Sequence, residues 1–124
     1  MARESGTGAL TGTRFESAAD AELWIVAKAC GFLRDAKGLR RAHWLLDREQ
    51  ELPEGFTLHA DGDCVVLSWV VSGSEHRTRF GGALPAMSAV QFSTVAYVPI
   101  DQIESCALEP DSRAAFAAAA ATGR

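Results

Sequence analysis

The sequence predicts an α+β domain: an antiparallel sheet of four to five strands packed against N-terminal helices and a C-terminal helix. Three observations predict it. Residues 17–38 carry apolar side chains at helical spacing behind a capping signal. Residues 56–80 alternate apolar and polar residues around two turn signals. Residues 112–123 are an alanine run. Helices, then a strand meander, then a helix make a sheet with helices over one face.

Each element has its own reason. Residues 1–14, rich in Gly and Thr, read as a flexible lead-in, and residues 15–124 as one domain, within what a 124-residue chain allows. Ser17 and Asp20 stand in the S-x-x-D arrangement that satisfies free amides at a helix start. Leu23, Val26, Ala27, Cys30 and Leu33 then form one stripe. Phe15 precedes the helix and is placed to pack on its first turn. Gly31 weakens the helix by roughly 1 kcal/mol relative to alanine, and Gly38 stands where a C-terminal cap belongs.

Residues 39–50, LRRAHWLLDREQ, suit either element: Leu39, Ala42, Leu45 and Leu46 fit a helix, and Ala42, Trp44 and Leu46 alternate as in a strand. Helix propensity favours the helix. Phe56, Leu58 and Ala60 alternate with Thr57 and His59, giving a strand with one wet face. Asp61-Gly62 signals a hairpin. Val65, Leu67, Trp69 and Val71 share one face of the next strand, and Cys64, Val66, Ser68 and Val70 the other, as in a central strand. Ser72-Gly73-Ser74 turns the chain. His76, Thr78 and Phe80 then face one way, with Arg77 and Arg79 facing out.

Two glycines and Pro85 predict a long loop over residues 81–89. Phe92, Thr94, Ala96 and Val98 predict a further strand over residues 91–98, with Pro99 marking an edge. Such an edge could pair with a copy of itself, giving a homodimer. Residues 100–108 suit a short fifth strand or a helical turn. The alanine run ends at Gly123.

Composition narrows the function. No stretch approaches the ~18 apolar residues of a membrane span. Residues 1–15 hold no apolar signal-peptide core. An odd cysteine count (Cys30, Cys64 and Cys106, with no CxxC) predicts reduced thiols and a cytoplasmic location. The net charge of −4 argues against a nucleic-acid protein, for which Arg34, Arg40, Arg41, Arg77 and Arg79 would have to share one surface.

No catalytic motif converges. His43, His59 and His76 are 16 and 17 residues apart, so no local pair of metal ligands forms, and no metal or other cofactor is expected. There is no G-x-S-x-G. Asp61-Gly62-Asp63 lacks the rest of a calcium loop, and Gly81-Gly82 lacks the lysine of a P-loop. No catalytic residue is assigned.

Charge, by contrast, is segregated. Arg34, Lys37, Arg40 and Arg41 oppose a single acid, Asp35. Asp47, Glu49, Glu51, Glu54, Asp61 and Asp63 then oppose a single base, Arg48. Segregated charge steers charged partners. The six carboxylates are the expected partner-binding residues of a small acidic, non-catalytic protein that binds another, basic protein. The alternative is a small-ligand binder or small enzyme with a pocket between sheet and helices, lined by Trp44, His59, Trp69 and His76.

A helix, the hairpin LHADGDCVVLSWVVSGSE, then YVPIDQIESCAL and a late helix ending ATGR faintly resemble small immunity proteins that neutralise polymorphic bacterial toxins. The likeness covers the last two thirds of the chain and implies inhibition of a protein partner. Richness in Ala, Gly and Arg fits a GC-rich bacterial or phage source.

Overall fold

The computed structural model describes residues 12–123. Residues 1–11 of the expected lead-in lie outside the described residues. From Thr13 the chain is already engaged: Thr13 is buried, and Arg14–Phe15 form strand β1, paired antiparallel with β4. Phe15 packs edge-on against Phe80 and Phe92.

Helix α1 spans Ala18–Ala36, with Ser17 as N-cap accepting from the Asp20 amide. Gly38 follows it at φ +73°, a left-handed position that suits glycine, and the Leu39 amide closes on the Arg34 carbonyl at 2.8 Å. The buried stripe is Ala21, Trp24, Ala27, Cys30, Gly31 and Arg34. It is rotated from the expected one: Leu23 and Val26 are half-buried and Leu33 is exposed. Trp24 claims the core because its large ring removes more apolar area from water than Leu33 would.

Residues 39–50 are neither the helix nor the strand expected. They run as turns and bends into a 3-10 turn at Glu49–Glu51. Tertiary contacts hold this segment. Trp44 is buried between the Arg34 guanidinium and Phe116, and the Leu46 amide donates to Thr94 Oγ1. Packing has outweighed a modest helix propensity.

Strands β2 (Thr57–Asp61), β3 (Cys64–Val71) and β4 (Ser74–Phe80) form the expected antiparallel meander. The sheet order is β1-β4-β3-β2. Both hairpins have two-residue loops, with Asp61 opposite Cys64 and Val71 opposite Ser74. Ser72 and Gly73 both have positive φ, 50° and 83°, the conformation that matches the twist of a tight hairpin. Leu67, Trp69, Thr78 and Phe80 are buried on the inner face. Arg77 and Arg79 lie on the opposite face, as expected.

The segment after β4 departs from the expectation. Residues 85–95 are not a loop followed by a strand; Pro85–Val95 form helix α2. Pro85 starts the helix at a position where its missing N–H costs nothing. Ala89, Val90, Phe92, Ser93, Thr94 and Val95 are all buried. With only Met87 exposed along its length the helix has little wet face, so its sequence lacks a clear amphipathic period. The fourth strand is therefore β1, and the exposed edge expected at residues 91–98, with the self-pairing built on it, is absent. Ile100–Gln102 form a 3-10 turn leading into a short helix α3 (Ile103–Ala107), and Ser112–Gly123 form helix α4.

The core is a ring cluster. Phe92 meets Phe15, Trp24, Trp69 and Phe80 with centroids 5.4–5.9 Å apart. Helices α1 and α2 thus cover the inner face of the sheet, while α4 packs on α2 and α3. No helix among the described residues is long and apolar enough to cross a membrane.

Candidate functional site

The six carboxylates singled out by charge fall into two groups. The first is drawn inward by Arg113 on α4. Glu51 Oε1 accepts from Arg113 Nη2 at 2.8 Å and from the amides of Asp47 and Arg48 at 3.1 Å each. These hydrogen bonds, the Asp47 amide first, outweigh the opposing effect of burial and hold the Glu51 carboxyl down to about 2. Asp47 sits 3.9 Å from Arg113 Nη2 and accepts from His43 Nδ1 at 2.9 Å. His43 adopts φ 57°, unusual for a residue with a Cβ, in the turn that carries its ring beside Asp47. Glu51 therefore ties the irregular segment to α4, and Asp47 braces the segment through His43.

The second group faces solvent. Glu49, Glu54, Asp61 and Asp63 are all exposed. Asp61 lies 3.4 Å from Arg79 Nε, an exposed pair of small energetic weight. Glu49, Glu54 and Asp63 have no ion pair among the described residues. Glu54 precedes β2 and Asp63 follows it, so acids flank both ends of an edge strand.

The residues expected around a pocket are not brought together. Trp69 and His76 meet, with rings 5.5 Å apart, inside the sheet–helix core. His76 Nδ1 donates to Asp20 Oδ2 at 2.7 Å, joining β4 to α1. His59 is exposed on β2, opposite Val66 of β3. Trp44 stands apart, beside Phe116. Aromatic rings fill the space between sheet and helices.

A cavity of about 410 Å³ lies elsewhere, lined by Arg34, Arg40, His43, Trp44, Ser112 and Arg113. Asp111 lines it too and caps the Ala114 amide at 3.2 Å. Sequence reasoning missed this place because its walls come from segments about 70 residues apart; the bonds that join them, such as Ser112 Oγ donating to the Trp44 carbonyl at 2.7 Å, have no local signal.

The five arginines needed for a nucleic-acid surface do not share one. Arg34 is 2% exposed and spends its guanidinium on the carbonyls of Arg40, Ala107 and Glu109. Arg77 and Arg79 lie on the open face of the sheet, where Arg77 pairs with Glu75 and Arg79 with Asp61. Among the described residues, no group of three His, Cys, Asp or Glu side chains is placed to hold a metal ion. No family model, no curated protein and no solved structure matches the chain.

Proposed function

We propose that the protein is a small acidic binding protein without a catalytic role, of the immunity, inhibitor or adaptor type. Its partner is a protein with a basic surface, engaged through Glu49, Glu54, Asp61 and Asp63. One observation carries this reading. Within a single acidic stretch, Glu51 is spent on Arg113 and Asp47 on His43, while Glu49, Glu54 and Asp63 are exposed and unpaired among the described residues. Unneutralised carboxylates raise the association rate with a cationic surface.

The test is a partner captured from the native host, identified, and titrated against the wild-type chain and the variant E49K/E54K/D63K. The reading expects binding that weakens with salt and at least about tenfold in the variant, which is about 1.4 kcal/mol. A complex of undiminished affinity in the variant overturns the acidic surface.

A second reading, small-ligand binding, rests on the 410 Å³ cavity. Arg40, exposed in its wall, is a cation that suits a small anion, and Trp44 beside it is a built-in reporter. Quenching of Trp44 fluorescence by phosphate or by simple carboxylates, abolished in Arg40→Ala, supports this reading; an unchanged spectrum across the series removes it.

A further inference from the structure

Helix α4 is built on small residues. Arg113, Ala117 and Ala120 stand at i, i+4 and i+7, on one side of it. Their methyl groups leave space unfilled toward α2, and a second cavity of about 150 Å³ lies there. Most of its wall is apolar. Leu46 and Pro53 come from the irregular segment, and Tyr97 presents its ring, since its hydroxyl is spent on the Val70 carbonyl at 2.6 Å.

One wall is polar. Thr94 Oγ1 accepts from the Leu46 amide at 3.0 Å, which leaves the hydroxyl proton to donate. Arg113 lines the same cavity. Its Nη2 donates to Glu51, but its Nε is buried and has no acceptor among the described residues. A buried N–H without an acceptor costs the fold the desolvation of that group. A ligand that brings an acceptor recovers that cost.

We infer that this cavity binds a small neutral carbonyl compound. Its apolar body lies between Leu46, Tyr97 and the alanines of α4, and its oxygen accepts from Arg113 Nε and the Thr94 hydroxyl. Size sets the body. An apolar cavity of about 150 Å³ takes up benzene, so a six-membered ring fits and a nucleotide does not. Charge sets the head. Glu51 already lies 2.8 Å from Arg113 Nη2, with Asp47 3.9 Å away. A ligand carboxylate would add a third negative charge around one cation, and a ligand ammonium would meet the guanidinium itself. A neutral oxygen with two lone pairs suits two donors. The inference stands apart from both readings above: Glu49, Glu54 and Asp63 take no part in it, and Arg40 does not line this cavity.

NMR titration of the isotope-labelled full chain with cyclohexanone, benzene and cyclohexanecarboxylate tests it. The Arg113 Nε–H resonance and the amides of Thr94 and Ala117 are the readout. Cyclohexanone is expected to shift them saturably and to move Nε–H downfield. Its dissociation constant is expected on the order of 1 mM or below, within reach of a ligand of about seven heavy atoms. Benzene is expected to saturate without the downfield shift, and the carboxylate not to saturate. Ala117→Leu and Ala120→Leu each fill the cavity and are expected to abolish binding, with circular dichroism checking the fold of each. Arg113→Lys keeps a cation for Glu51 but has no Nε–H fork; it is expected to weaken cyclohexanone about fivefold and to leave benzene unchanged. No saturable shift with either neutral probe, or binding that survives both leucine variants, overturns the site. An Nε–H indifferent to cyclohexanone, or an equal loss of both probes in Arg113→Lys, overturns the acceptor. Saturation by the carboxylate overturns the neutral class. None of these results touches the affinity for a basic partner.

Discussion

Arg34 donates to the main-chain carbonyl of Ala107 at 2.7 Å, joining the end of α1 to the end of α3. Its other donors reach the carbonyls of Glu109 and Arg40, and Trp44 stacks within 5.8 Å. No carboxylate is among these partners; helix-end carbonyls and their dipoles serve instead. Burial lowers the Arg34 pKa from its usual value, with Arg40 and Arg41 adding to the effect, and the carbonyls compensate. Arg34→Met should cost about 3 kcal/mol, because it leaves buried carbonyls unpaired. Arg34→Lys should lose most of this, since an ammonium lacks the planar fork. Urea unfolding checks both; a loss under about 1 kcal/mol would show the clamp to be incidental.

Thr78 behaves in the opposite sense. It is 1% exposed on β4, opposite Phe15 and Leu67, and its hydroxyl has no hydrogen-bond partner among the described residues. Thr78→Val keeps the shape and the β-branch while removing an unpaired buried polar group. Stability should rise by about 1 kcal/mol. A destabilised variant in thermal unfolding would mean that the hydroxyl has a partner, such as a buried water.

Glu51 gives the protein an acid-side liability. Its carboxyl stays charged in the folded chain until about pH 2, against an ordinary value of 4.5. A lowered folded-state pKa contributes stability that is complete above the ordinary value and is lost as pH falls through the folded one. Stability should therefore decline from about pH 4.5 toward about pH 2, more steeply in the wild type than in Glu51→Gln. Denaturant midpoints across this window read the difference; parallel profiles would remove Glu51 from the account.

The three thiols should separate by reactivity. Burial, reinforced by Glu104, pushes Cys30 up, and burial with Glu109 pushes Cys106 up. Cys64 is only half-buried, at the start of β3. Thiolate is the reactive form, so a disulfide reagent should modify one thiol quickly and two only on unfolding. Cys64→Ser should abolish the fast phase; its persistence would contradict this ranking.

The sheet was legible because its signals are local. Asp61-Gly62 and Ser72-Gly73 set two hairpins, and strict alternation placed Leu67, Trp69 and Phe80 inward. Helix α2 was not legible, because residues 90–96 are apolar enough for either element and Pro85 reads equally as a break or a start. Strand β1 is two residues long and carries no pattern of its own. The stripe on α1 was blurred because the helix has two apolar faces and the expected one straddles them. At the candidate site, the composition marked the acidic stretch but could not divide it. Glu51 meets an arginine 62 residues away, and only folding shows which carboxylates that arginine neutralises.

The two-layer arrangement rests on Phe92 being carried by a helix into the middle of the sheet's inner face. Proton NMR contacts from the Phe92 ring test it most directly. The account expects cross-peaks to Phe15, Trp24, Trp69 and Phe80 together with helical shifts over residues 85–95. Extended-strand shifts there, with Phe92 silent toward Trp24 and Trp69, would contradict it.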